Sequence, residues 1–150
     1  KVGLFDELGL NLYDFEKTQR LAQYNDPILS LASLSNSKIT WLLKNQDKEK
    51  LDFLQHEWYC KSLNDYKKLF YNHKTKRKDW IVCLLLMENN VDFANEINNW
   101  VPLTFPVSGK DIVEKGYKQG PIVGKLLYEL KNKWLKSNFE MSREQLLEDV

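Results

Sequence analysis

Residues 102–136 combine glycines and lysines in a spacing that suits the binding of phosphate groups. Ser108 is placed to cap a very short helix, and Gly116 to end it in the left-handed conformation that glycine tolerates best. Gly120-Pro121 can open a second helix, because proline is favoured at the first helical position. A helix start offers unpaired N–H groups to an anion. The candidate binding residues here are Gly109, Lys110, Lys115, Tyr117, Lys118, Gly120 and Lys125.

A second basic cluster occupies residues 74–78, between one predicted helix and the start of the next. Its candidate binding residues are Lys74, Lys76, Arg77 and Lys78. Two interpretations stay open for this cluster. The cations can stabilise the C-terminal end of the preceding helix dipole, or they can bind a phosphate beside the following helix start.

Two segments resemble enzyme motifs but lack residues that those motifs require at fixed positions. His56-Glu57 resembles the start of a zinc-protease helix, but the position four residues after His56 is Cys60 instead of a second histidine. Gly109-Lys110 lacks the earlier glycine and the following Ser or Thr of a phosphate-binding P-loop. Cys60 and Cys83 are the only cysteines, and we predict reduced, buried thiols rather than a zinc site or a disulfide. No catalytic residue and no metal site are predicted.

Composition and charge describe a folded chain with a one-sided charge distribution. Of the 150 residues, 43% are hydrophobic and 13% aromatic, which argues against disorder. The net charge is only +1, yet residues 61–80 hold seven Lys or Arg against two Asp, and residues 110–136 hold seven Lys against three acids. Two basic segments in a neutral chain favour a polyanion partner, although solvated lysine faces are the alternative. The longest apolar run, residues 81–87, is too short to span a membrane.

The hydrophobic pattern has helical period nearly throughout, so we predict an all-α fold. Residues 80–87 are apolar on all sides and should form the most buried helix. Asp26, Asp47 and Ser142 are predicted helix caps, the last in a capping box with Gln145. Near the N-terminus, Leu12, Phe15, Gln19 and Ala22 are predicted to share one helical face. In the helix that Pro121 opens, Val123, Leu127, Leu130 and Trp134 are predicted to face inward.

The aromatic residues divide between core and surface in this interpretation. Tyr117, in the glycine turn, is the one aromatic residue that we predict to be exposed. The tryptophans that lie on apolar stripes are assigned to the core rather than to base stacking, and they are Trp41, Trp58, Trp80 and Trp100.

Three segments near the C-terminus also resemble a known family. They read Phe-Pro-Val-Ser-Gly-Lys-Asp-Ile (105–112), Gly-Tyr-Lys-Gln-Gly-Pro-Ile-Val-Gly-Lys-Leu-Leu (116–127) and Met-Ser-Arg-Glu-Gln-Leu-Leu (141–147). This pattern resembles the tail of class II tRNA nucleotidyltransferases, the CCA-adding enzymes, which share a superfamily with bacterial poly(A) polymerases. A looser resemblance covers residues 26–32 and 43–50, where the family more often has Ser-Asn in place of Gln46-Asp47.

The resemblance implies a compact multi-helix body that binds RNA (residues 1–101) and a helical tail (residues 102–150), as in the poly(A) polymerase C-terminal region. It implies binding of the acceptor and T-arm of tRNA, and the two basic clusters are the candidates for that contact. The family's catalytic head uses an Asp-x-Asp pair for Mg²⁺, and its neck reads CTP or ATP with an Asp/Arg pair. This chain has no Asp-x-Asp and no Glu-Asp-x-x-Arg, so head and neck are expected in a longer parent protein.

The expected compartment is the cytoplasm, or the mitochondrial matrix in a eukaryote. Two other functions stay open. Helix–Gly turn–helix also resembles the helix-hairpin-helix that grips DNA phosphates, and a helical scaffold could instead bind protein.

Overall fold

The computed structural model describes residues 17, 19–24, 26, 28, 44–72, 77–148 and 150. All regular structure within these ranges is helical, which confirms the predicted all-α class. The contacts divide the chain into a first unit, Lys1–Trp100, and a second unit, Val101–Val150. In the first unit the helices are α1 (Asn45–Gln55), α2 (Leu63–Asn72), α3 (Lys78–Met87) and α4 (Val91–Asn99). In the second they are α5 (Gly109–Glu114), α6 (Pro121–Lys136) and α7 (Arg143–Glu148).

Helix α3 forms the centre of the first unit's core. Its sequence is apolar on every side, and Trp80, Ile81 and Leu85 are 2%, 1% and 0% exposed. Within the described part of this unit, α1, α2 and α4 all contact α3. The Trp80 ring also lies 5.7 Å from the ring of Phe53 in α1. The structure therefore agrees with the predicted central position of residues 80–87.

Short polar side chains begin several of the helices. Asn90 accepts a hydrogen bond from the Phe93 N–H at 3.1 Å, at the start of α4. Ahead of α7, the Ser142 N–H donates to Gln145 Oε1 at 2.9 Å and the Gln145 N–H donates to Ser142 Oγ at 3.3 Å. These bonds pair backbone groups that a helix start leaves without partners. The capping box predicted at Ser142 is confirmed.

Asp26 accepts from the Ile28 N–H at 3.0 Å, as a capping residue does, and it also pairs with Lys50 of α1. The Cys83 thiol donates to the same carboxylate, with Sγ 3.6 Å from Oδ2. Burial raises the pKa of Cys83 to about 11, so this thiol is neutral at pH 7. Both cysteines are free thiols, as predicted, but Cys60 is only half-buried.

One prediction about the first unit was wrong. Helix α1 begins at Asn45 and is preceded by Lys44, whose carbonyl already accepts from the Lys48 N–H at 3.0 Å. Asp47 therefore lies inside the first turn, where its charge still suits the helix dipole. On the N-terminal segment, Gln19 and Ala22 are both exposed, which agrees with a shared helical face, and Leu21 is fully buried because its larger apolar side chain occupies the core. Predictions for residues 12, 15 and 41 lie outside the described residues.

The second unit has its own set of buried side chains. Of the predicted α6 stripe, Val123, Leu130 and Trp134 are buried, while Leu127 is half-buried. The Trp134 ring lies 5.5 Å from Phe105 and 5.0 Å from Phe139. The remaining buried residues of this unit are Val107, Ile112, Leu135, Leu146 and Leu147. Since α5 and α7 both contact α6, the long helix organises the unit.

Candidate nucleic-acid interface

Helices α5 and α6 are joined by the glycine turn that the sequence predicts. Ser108 precedes α5, and both its N–H and its hydroxyl donate to the Asp111 carboxylate, at 2.6 and 2.7 Å. Gly116 follows the end of α5 with φ of 100°, a conformation that costs glycine little. The predicted beginning and end of this short helix are confirmed.

The turn ends where α6 starts. Gly120 has φ of 155° and ψ of −165°, a combination that is found essentially only for glycine. Pro121 is the first residue of α6, and the Val123 N–H bonds the Gly120 carbonyl at 3.1 Å. The Ile122 N–H belongs to the first turn, where a helix has no internal acceptor to offer. The start of this 16-residue helix thus carries the positive end of a helix dipole.

An open groove of about 560 Å³ lies between the start of α5 and the first turn of α6. Its lining residues are Ser108, Gly109, Lys110, Val113, Glu114, Gln119 and Val123. A Cβ atom added to Gly109 would lie 3.4 Å from Val123 Cγ1, an ordinary van der Waals contact, so the start of α5 packs directly against α6. Lys110 and Gln119 can donate to an anion in the groove, whereas Glu114 places a carboxylate on the same wall.

The four candidate lysines of the second unit are exposed: Lys110, Lys115, Lys118 and Lys125. Lys125 has only a long contact with Glu129, at 4.0 Å, and 72% of its side chain is exposed. The other three form no ion pair with any residue that the structure describes. Exposed pairs such as Lys125–Glu129 contribute little to stability, so all four cations are available to a polyanion.

Tyr117 does not have the predicted exposure. Its ring is half-buried, and its hydroxyl donates to the Val150 carbonyl at 3.4 Å. The reason is that the C-terminal residues return to the glycine turn, which no local pattern reveals. The strongly exposed tyrosines are instead Tyr59, at 90%, and Tyr128, at 67%.

The basic cluster of the first unit is partly described. Lys74 and Lys76 lie outside the described residues. Arg77 forms two hydrogen bonds to Asp79, at 2.9 and 2.8 Å, and its guanidinium lies 5.6 Å from the centre of the Trp80 ring. Partial burial alone would raise the pKa of Asp79, but the bonds from Arg77 lower it below its ordinary value. Arg77 is therefore bound to Asp79 in the first turn of α3, the helix that follows it.

Lys78 also has partners within the protein. Its ammonium donates to the carbonyl of Asn98 at 2.7 Å and to that of Trp100 at 3.0 Å. Both carbonyls lie at the C-terminal end of α4, where a cation is favourable. Lys78 therefore stabilises the end of a helix, which is one of the two interpretations of this cluster. The helix is α4, however, and not the preceding α2.

An ion pair that the sequence interpretation missed connects α5 with α7. Arg143 pairs with Asp111, the same carboxylate that receives the two bonds from Ser108. The bonds from Arg143, and then those from Ser108, hold the pKa of Asp111 well below its usual range. Ser108-x-x-Asp111 is a capping-box spacing that could have identified the N-terminal half of this arrangement. The arginine partner, 32 residues away, had no sequence signal.

The described residues show neither a metal-binding cluster nor a membrane-spanning helix. Among the described residues, no group of three or more His, Cys, Asp or Glu is arranged to hold a metal ion. No helix in the described ranges is both long and apolar enough to cross a membrane.

Comparison with known proteins relates the chain to one class of enzyme. No protein-family model matches it. Over 64 residues it is 38% identical to CCA tRNA nucleotidyltransferase 1, mitochondrial, of Danio rerio, a match that covers 43% of this chain and 15% of that protein. The proteins of the same name from Mus musculus and Homo sapiens are each 37% identical to it over 67 residues. Each match covers 44% of this chain and 15% of the relative. The predicted relationship to CCA-adding enzymes is confirmed for a region that spans only a small part of these relatives.

Proposed function

We propose that this chain is the tRNA-binding C-terminal region of a CCA-adding tRNA nucleotidyltransferase. In this proposal it holds the acceptor and T-arm of tRNA while a head domain elsewhere in the parent protein adds nucleotides to the 3′ end. The observation that carries the proposal is the set of available lysines around the α5–α6 turn, in a chain related to CCA-adding enzymes.

The turn supplies two kinds of attraction for a phosphate. Lys118 lies within it and Lys125 one turn into α6, so their charges act on the same region of the surface. The start of α6 adds backbone donors and the helix dipole, which need no side chain. Contacts of this type position an RNA without reading its sequence. That property suits a protein that must accept every tRNA, whose helical arms are recognised mostly by shape and backbone.

Catalysis is assigned to the parent protein and not to this chain. Mg²⁺, with CTP and ATP as substrates, would act in the head and neck, and the described residues contain no cluster suited to that ion. The cytoplasm or the mitochondrial matrix is the proposed location, and the matched relatives carry the word mitochondrial in their names.

A competition experiment tests the proposal against its rivals. The 150-residue chain is titrated against a fluorescent acceptor-stem minihelix, with unlabelled tRNA or duplex DNA of equal length as competitor at equal salt. Competition by tRNA at much lower concentration than DNA is expected. Equal or better competition by DNA would favour the helix-hairpin-helix alternative, and no binding to either would favour a protein scaffold.

A second assay tests the location of catalysis. The chain is incubated with tRNA that lacks CCA, together with CTP, ATP and Mg²⁺. No incorporation above a protein-free control is expected. Incorporation would place a nucleotidyltransferase site within these residues.

A further inference from the structure

An exposed patch lies on the solvent side of α6, beyond the first turn of the helix. At its centre is Tyr128, which is 67% exposed although the helix buries Val123 and Leu130 on its other side. Gly124 lies one helical turn before Tyr128, and a Cβ atom built there would have nothing within 4 Å. No side chain, that of Tyr128 included, therefore lies against this turn of the helix. The Tyr128 ring is open to solvent, as its 67% exposure shows.

The surroundings of the patch are basic. Lys125 lies three residues before Tyr128, with 72% of its side chain exposed, and its contact with Glu129 is at the 4.0 Å limit. Lys136 and Lys133 continue the exposed side of α6 toward its C-terminus. An aromatic ring among cations fits a ligand that is both planar and anionic. Unpaired nucleotides have both properties, since each has a base with a π-face and a phosphate.

We infer that Tyr128 is a stacking platform for an unpaired base of the bound RNA, with Lys125 contacting the adjoining phosphate. This inference rests on the proposed function, which it extends from phosphate contacts at the α5–α6 turn to a base contact on α6. Stacking of this kind is tolerant of base identity, so it is compatible with recognition of many RNAs.

The test uses two stem-loop RNAs, one with 2-aminopurine at an unpaired loop position and one with it inside the stem. Binding of the 150-residue chain should change the fluorescence of the loop probe and leave the stem probe nearly unaffected. Tyr128→Leu should abolish the loop signal and weaken binding by about fivefold or more. The slope of log affinity against log salt should stay unchanged, since no phosphate contact is removed.

Three further variants separate stacking from other effects. Tyr128→Phe keeps the ring and should bind like the original protein. Gly124→Leu keeps Tyr128 but adds a large side chain one helical turn before it, where a stacked base would extend, and should weaken the loop signal although it improves helix propensity. Tyr59→Leu removes another exposed tyrosine, 90% accessible in the first unit, and should have no effect on the signal.

Several outcomes would overturn the inference. If the chain binds both RNAs and neither Tyr128→Leu nor Gly124→Leu changes affinity or fluorescence, the platform is absent while the proposed function stands. If the chain self-associates in sedimentation without RNA and Tyr128→Leu abolishes that association, the patch is a protein interface. If the unmodified chain binds no RNA, this inference fails together with the proposed function.

Discussion

The two units of this protein contain basic segments of similar density, but they use their cations differently. In the first unit, Arg77 is bound to Asp79 and Lys78 to the carbonyls at the end of α4. In the second unit, Lys110, Lys115 and Lys118 have no ion-pair partner among the described residues. Local charge counted along a sequence therefore does not measure the charge that a surface offers to a ligand.

The central helices of the two units also differ in how much of their surface they leave exposed. Helix α3 has apolar residues on every side and is enclosed by its neighbours. Helix α6 buries one stripe and leaves Lys125, Tyr128 and Glu129 exposed. A substitution in α3 should therefore act through stability, whereas one on the exposed side of α6 should act through binding. Four predictions test that contrast, beginning with the largest effect.

Leu85→Asp should unfold the first unit. The side chain at this position is fully buried, so a carboxylate there would lose its hydration without gaining a partner. The cost is several kcal/mol, which is a large part of the roughly 5–15 kcal/mol that stabilises a domain. Thermal unfolding followed by circular dichroism measures the effect. Tyr128→Asp, a matched change on the exposed side of α6, should leave the melting temperature nearly unchanged, and a similar loss in both variants would remove the contrast between the helices.

Replacing Lys118 and Lys125 with Ala should reduce the salt dependence of RNA binding. About four phosphate contacts give a log–log slope near −3, so a fourfold rise in salt should weaken binding by the original chain roughly 60-fold. The double variant should flatten the slope by about 1–2 units. Fluorescence anisotropy with the minihelix at several salt concentrations gives the slope.

The matched control for that double variant is Arg77→Ala with Lys78→Ala, which removes the same charge from the first unit. Because both side chains are already bound within the protein, the control should lower stability and leave the slope largely as it was. A flatter slope in the control than in the Lys118 and Lys125 variant would move the RNA site to the first unit.

Gly120→Val should weaken RNA binding without changing the salt slope. No atom lies within 4 Å of a Cβ built at this position, so the cost comes from the φ of 155° and not from crowding. Backbone strain of this kind costs about 1–3 kcal/mol, and its relief would shift the turn and reduce affinity by about tenfold. Ile122→Val places the same side chain two residues later, outside the positive-φ region and on an exposed position, and should bind normally. Equal affinity of the original chain, Gly120→Val and the control variant for RNA would indicate that the turn is purely structural.

Asp111→Asn should lower stability slightly at pH 7 and not in strong acid. The pKa of Asp111 is depressed in the folded protein, chiefly by Arg143, so its contribution is complete above the unfolded-state pKa of about 3.9. That contribution is lost as the pH falls through the lower, folded-state pKa. The difference in melting temperature between the two proteins should thus shrink below pH 4. If the difference in melting temperature persists at the lowest pH, the ion pair between Asp111 and Arg143 is not its cause.

Much of the second unit could be predicted from sequence because its determinants are local. Ser108 and Gly116 border α5, Gly120-Pro121 opens α6, and the Ser142 capping box precedes α7, each within a few residues of the structure it directs. The amphipathic stripe of α6 and the apolar run of α3 could also be predicted from the sequence, since helical period alone decides which side is buried.

Tertiary structure decided which polar and aromatic groups are free. Tyr117 is half-buried because the chain terminus returns to it, and Lys78 is occupied because the end of α4 lies beside it. Arg143 finds Asp111 across 32 residues of sequence. Each of these contacts joins residues that are distant along the chain, and no local propensity encodes such pairs. The sequence by itself therefore determined the helices and their buried sides, whereas the availability of the lysines, the exposure of Tyr128 and the burial of Tyr117 depended on how those helices pack.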